Sequence, residues 1–138
     1  GDGARPFAVH APPQHLSGDL FEEHFGPATV ICRAPTRDFE AIMDKVPGNL
    51  VATVIAADSD ADAAAALLPG LARGAGRVVW NGVPTGVAVC DAMHHGGPWP
   101  ASSTPGFTSV GTAAVQRFLR PVALQGVPDS IAAAVFAE

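Results

Sequence analysis

Charge is scarce in this sequence. Asp, Glu, Lys and Arg make up 15% of its 138 residues, and eight Lys plus Arg stand against thirteen Asp plus Glu. A net charge of −5 with no basic run denies it the broad positive face on which phosphate backbones collect, so nucleic acid is excluded as an expected partner. Long apolar runs are also missing. No stretch approaches the roughly 18 consecutive apolar residues of a membrane span, and residues 1–6 hold no basic segment followed by an apolar one, so a soluble chain with no membrane partner is expected. Cysteine is limited to Cys32 and Cys90, at most one bridge, which makes the reducing cytoplasm the expected compartment. The first residue is Gly1 rather than Met, and the apolar segment 6–11 follows with no obvious amino-terminal cap, as in a truncated chain.

What the sequence does hold is apolar. Hydrophobic residues make up 48%, enough to bury a core in one domain or a large piece of one. Val30, Ile31 and Cys32 form a short apolar run within residues 29–33, stopped by Ala34-Pro35, which predicts a buried strand. Phe39, Ile42, Met43 and Val46 then fall on one stripe of a helix that starts near Thr36 and ends at Pro47-Gly48. Residues 50–57 are apolar except at Thr53, the pattern of a parallel strand covered on both faces. Ser59, with Asp62 three residues on, predicts the cap of an Ala-rich helix that Pro69-Gly70 interrupts. Residues 71–76 supply a last turn. Val78, Val79 and Trp80 in segment 77–81 complete a strand, helix, strand, helix, strand order, which is an α/β unit with parallel strands and covering helices. Residues 82–111 turn to Gly, Pro, Ser and Thr, a long structured loop. Beyond it a short helix is expected over 111–119, an extended segment over 121–125, and another short element over 132–137.

The densest local signal is Glu22-Glu23-His24-Phe25-Gly26-Pro27, two acids and an aromatic on a tight Gly-Pro turn just ahead of a predicted strand. On residue types alone, a solvated acid pair beside a core Phe explains it better than a hydroxyl-binding carboxylate does. The string Glu23-His24-Phe25-Gly26-Pro27, however, resembles the Glu-x-Phe-Gly-Pro motif of NAD(P)-dependent aldehyde dehydrogenases, and the element order after it is similar. Gly76-Arg77-Val78 and Asn81-Gly82 resemble the strand and turn near the end of that family. Where general members carry a Gly-Gly and Ser-Gly loop, this sequence departs, with Val83-Pro84-Thr85-Gly86-Val87, then His95-Gly96-Gly97-Pro98-Trp99-Pro100-Ala101 and Thr108-Ser109-Val110-Gly111-Thr112. Those strings, with 117–122, look like the α-ketoglutaric semialdehyde branch. The resemblance spans residues 6–129 with its motifs in the family's order, which is more specific than any one of them.

The resemblance implies a C-terminal portion of the aldehyde dehydrogenase catalytic domain over residues 1–113, with a helix and oligomerisation arm over 114–138. It implies NADP or NAD as cofactor. Glu23 is then the acceptor for the ribose hydroxyls on the nicotinamide side, and Phe25 packs near the ribose and ring. A carboxylate suits the first role because it can accept from two vicinal hydroxyls at once, and an aromatic edge suits the second because it limits the swing of the nicotinamide. Val83, Pro84, Thr85 and Trp99 are candidates for substrate contact, with ordinary loop packing an equal alternative. The catalytic Cys and general-base Glu of the family belong to the missing N-terminal half, so no catalytic residue is assigned and the isolated chain is expected to be inactive. Its partners by resemblance are that half, a small aldehyde and further copies of itself.

Two other readings compete, and two more fail. A truncated relative could serve as a non-catalytic binding or assembly module. Cys90 with His94 or His95 could form a nucleophile pair, although Cys32 in a predicted buried strand and Cys90 beside Val87-Ala88-Val89 read better as buried, inert thiols. Asp91 added to that group lacks the spacing of a metal site, and no metal is expected. Gly74-Ala75-Gly76 precedes a strand rather than a helix and fails as a dinucleotide fingerprint.

Overall fold

The computed structural model describes Gly3 and residues 5–135. Four short strands form two separate parallel pairs. The first joins β1 (Phe7–His10) to β2 (Ala28–Ile31), in register Phe7 to Ala28 through His10 to Ile31. The second joins β3 (Ala52–Val54) to β4 (Val78–Trp80). Between β2 and β3 a 3-10 turn at Thr36–Asp38 leads into helix α1 (Phe39–Met43). The crossover from β3 to β4 carries α2 (Ala61–Ala65) and α3 (Leu68–Gly74), and α4 (Asp129–Val135) lies near the end of the described residues. The α/β class with parallel strands is thus present.

Several expectations change in detail. The apolar segment at 6–11 is a strand, and β2 pairs with it rather than with β3, so three strands do not make one sheet. Alternation of Phe7 and Val9 with Ala8 and His10 was the available signal for β1. Pro69 opens α3 instead of ending a helix, because proline lacks only an N–H that the first turn leaves unpaired anyway. Ser59 does not cap α2. Asp60 holds the cap position without a side-chain bond, and Ser59 Oγ meets the Asp60 carboxylate at 3.4 Å. Residues 112–118 form a 3-10 helix, and 119–125 have no regular structure. The expected element at 132–137 falls partly outside the described residues.

The largest correction concerns burial. The segment at 50–57 reads as doubly covered, yet β3 has three residues, all half-buried, and Ile55 just beyond it is 75% exposed. Strand β2 alternates between half-buried and exposed. Among the described residues the buried apolar side chains are Ala11, Leu16, Ala64 and Ala75, none larger than leucine. The accessible surface is 10355 Å² for a mass of 14.0 kDa. A compact monomer of that mass exposes about 6,700 Å², so roughly 3,700 Å² more is bare than self-contained packing leaves. The apolar pattern is written for covering layers that this chain does not itself supply.

One region is tightly built. Loop 94–99 crosses the approach to β3 and β4 at glycines on both sides. A Cβ on Gly76 would overlap the Gly96 carbonyl oxygen, and one on Gly48 would lie 2.8 Å from the Pro98 carbonyl carbon. Thr108, 4% exposed, ties the same loop. Its Oγ accepts from His95 N–H at 2.8 Å and donates to the Val110 carbonyl at 2.7 Å. The expected long structured loop is therefore ordered by backbone contact and one buried hydroxyl.

Candidate functional site

The turn that carries the acidic pair is locally well determined. A 3-10 segment at Gly18–Phe21 ends with Glu22 N–H bonded to the Asp19 carbonyl, and His24 Nε2 donates to the same oxygen at 2.9 Å. Gly26 then adopts φ +148°, a backbone region that costs an L side chain heavily, and Phe7 N–H bonds the Pro27 carbonyl to lead into β2. Held this way, Glu23 and Phe25 are both exposed, Phe25 at 94%.

Glu23 lines an open cleft of about 840 Å³ together with Leu16, Ser17, Phe21, Lys45 and Pro100. Neither of the two ion pairs among the described residues involves Glu23. Lys45, which donates to the Pro13 carbonyl at 2.9 Å, brings a cation to the cleft wall. No sequence signal links it to Glu23, since α1 and its following turn bring them together. Glu22 also lines it, so two carboxylates, a hydroxyl and an ammonium stand on a wall that is otherwise mostly apolar, and the size is that of ordinary small-molecule sites. The Glu23 carboxylate has the acceptor capacity for a pair of vicinal hydroxyls. Phe25 does not line the cleft.

The four candidate substrate contacts are not gathered there. Trp99, 75% exposed, lines a second cleft with Met43, Asp44, Gly70 and Arg73 beside α1 and α3. Its neighbour Pro100 reaches the Glu23 cleft, so the two clefts lie along one stretch of loop. Val83, Pro84 and Thr85 sit past the end of β4, all exposed. Two residues named in the sequence only as parts of motifs, with no role assigned, govern that end. Asn81, at φ +47°, accepts from Ala56 N–H at 2.8 Å and donates to the Ala56 carbonyl at 2.9 Å, prolonging the ladder with its side chain. Arg77 forks across the loop beyond, with Nη1 donating to the Gly86 carbonyl at 2.8 Å and Nη2 to that of Pro84. The Asn81-Gly82 turn signal could have suggested the first; the second needs the loop's path.

The thiols depart from expectation. Cys32 lies beyond β2 and is half-buried, and Cys90 is exposed. Its neighbours lie on an irregular loop that leaves Val87 half-buried and turns Ala88 and Val89 outward, which is why hydropathy mispredicted burial. Asp91 accepts from the Thr112 hydroxyl, and the His95 backbone is committed to Thr108 and Ser109. Among the described residues no three His, Cys, Asp or Glu side chains form a group able to hold a metal ion, and no helix is long and apolar enough to cross a membrane.

Parallel β–α–β pairing follows a Glu-x-Phe-Gly-Pro turn that leads into a strand, which makes the chain an α/β protein. No protein-family model matches the chain. It is 51% identical over 110 residues to an α-ketoglutaric semialdehyde dehydrogenase 2 of Azospirillum brasilense, an alignment covering 79% of this chain and 21% of that protein. It is 51% identical over 116 residues to an α-ketoglutaric semialdehyde dehydrogenase of Acinetobacter baylyi, covering 80% of this chain and 22% of the relative. The chain is therefore of aldehyde dehydrogenase origin and is similar to part of the α-ketoglutaric semialdehyde dehydrogenases. It spans about a fifth of the length of these relatives.

Proposed function

We infer that this sequence is the C-terminal part of the catalytic domain of an aldehyde dehydrogenase that oxidises a short aldehyde, α-ketoglutaric semialdehyde, to its acid with NADP or NAD. The observation that carries the reading is the Glu23–Pro27 turn, which presents the Glu23 carboxylate to an open, mostly apolar cleft just ahead of β2. The similarity to α-ketoglutaric semialdehyde dehydrogenases supports the substrate. The bare apolar surface supports the need for a further polypeptide layer.

In this reading the bound nicotinamide accepts the hydride, and everything asked of these residues is positioning. Glu23 receives hydrogen bonds from the ribose hydroxyls. Phe25, which stands outside the cleft, packs near the ribose and ring by resemblance to the family. Val83, Pro84, Thr85 and Trp99 form part of the substrate wall, and residues 117–125 supply subunit contacts in a homo-oligomer. The thiol nucleophile and general base come from the N-terminal half, in the cytoplasm.

The test compares nicotinamide reduction by the 138-residue chain, by the longer polypeptide that contains it, and by the Glu23→Ala form of the latter. The chain alone is expected to be inactive and the longer polypeptide active. Glu23→Ala should lower turnover by up to about 100-fold, the usual scale for a misplaced reacting group. Reduction by the isolated chain would overturn the reading and direct attention to Cys90.

A further inference from the structure

Residues 82–89 have no evident reason to hold one path. Among the described residues no backbone hydrogen bond ties them to the rest of the fold, since bonding resumes only with Met93 N–H to the Cys90 carbonyl. Gly86 lies at φ +78° with nothing within 4 Å of the place a Cβ would take, so the segment does not pack itself into shape. What does hold it is Arg77. The Arg77 carbonyl accepts from Ala52 N–H at 2.9 Å, which locks the residue at the start of the β3–β4 ladder. Its Nε is buried without a partner, so the stem is fixed within the fold and the two Nη groups face the loop. They bind the carbonyls of Pro84 and Gly86, which bracket Thr85.

We propose that Arg77 is a positioning residue for the substrate wall, setting the place of Val83, Pro84 and Thr85 through their backbone and so determining affinity for the aldehyde. This rests on the aldehyde dehydrogenase reading above. A planar guanidinium is required, because two carbonyls two residues apart are reached by one rigid fork and not by the single ammonium of lysine. Arg77 acts through the loop, with each outer nitrogen donating to a loop carbonyl. Its effect belongs to aldehyde binding and not to the cofactor.

The experiment uses the longer polypeptide containing this sequence, as wild type, Arg77→Lys and Arg77→Met. Kinetics are measured with α-ketoglutaric semialdehyde and NADP or NAD, and thermolysin cleavage within residues 82–89 of each folded form is followed in parallel. Arg77→Met should raise the aldehyde KM about 10-fold, with kcat and the cofactor KM within about 3-fold, and Arg77→Lys should fall between it and wild type. Arg77→Met should also be cut at least several-fold faster in the loop. An unchanged aldehyde KM, or equal changes in kcat and both KM values, overturns the proposal. If Arg77→Met does not fold, the lysine variant alone must show the same split. If wild type reduces no nicotinamide with any short aldehyde, the functional reading fails by itself, and unchanged thermolysin cleavage then rejects the clamp as well.

Discussion

The crossing of loop 94–99 over the approach to β3 and β4 should fail on the addition of one methyl group. In Gly76→Ala the new Cβ overlaps the Gly96 carbonyl oxygen and lies 2.6 Å from its carbonyl carbon and 2.9 Å from Gly97 Cα. All three are backbone atoms, so no rotamer change relieves them. The loop must lift, and the bond from Ser109 N–H to the His95 carbonyl at 3.0 Å is the contact most exposed to that movement. Overpacking costs about 1–3 kcal/mol where side chains can give way, and with backbone on both sides the upper end, about 3 kcal/mol, applies. Gly74→Ala, two residues earlier, is the control. Nothing lies within 4 Å of its Cβ position, and it ends a helix, so a change between zero and about +1 kcal/mol is expected. Urea unfolding of the 138-residue chain, followed by Trp80 and Trp99 at low protein concentration, separates the two. With m about 2 kcal/mol/M, Gly76→Ala should lose about 1.5 M in midpoint. Midpoints for the two variants within about 0.3 M of one another would refute the steric argument.

Other outcomes follow from the same geometry. Asn81→Ala removes both bonds to Ala56 and places alanine at φ +47°, a loss of about 2–3 kcal/mol, whereas Asn81→Gly should lose about 1 kcal/mol less because the backbone term disappears. Urea midpoints decide between them. Thr108→Val keeps the shape but strands the His95 N–H, costs about 1–3 kcal/mol, and should speed chymotryptic cleavage after Phe107. Cys90 should react with a thiol reagent in the native chain well before Cys32, and Cys90→Ser should abolish the fast phase. Finally, the bare apolar surface predicts that the isolated chain self-associates, seen as a sedimentation coefficient that rises with concentration; a monomer at all concentrations would contradict it.

Much of the local order was legible. The stripe Phe39, Ile42, Met43 and Val46 marks α1 and its following turn, and the Val78–Trp80 run marks β4, because each pattern has the period of the element it forms. The Gly- and Pro-rich segment 82–111 is a loop, as its composition requires. Strand β1 escaped notice because four residues with a histidine at one end give a weak alternation. Cys90 was misplaced because hydropathy reports what a segment tolerates, not which way a loop turns it.

The sequence by itself determined the class of elements, their parallel order, and the Glu23–Pro27 string that ties the chain to the aldehyde dehydrogenases, since these depend on residues close together in the chain. Only the tertiary structure decided that β2 pairs with β1, that Lys45 joins the Glu23 cleft, that Trp99 and Val83 stand in different places, and that Arg77 holds the loop between them. Those facts depend on contacts between distant segments, whose partners local periodicity does not name. The same division explains the surface. Apolar residues at 50–57 record that a covering layer is needed, and only the packed chain reveals how much of that layer is absent from it.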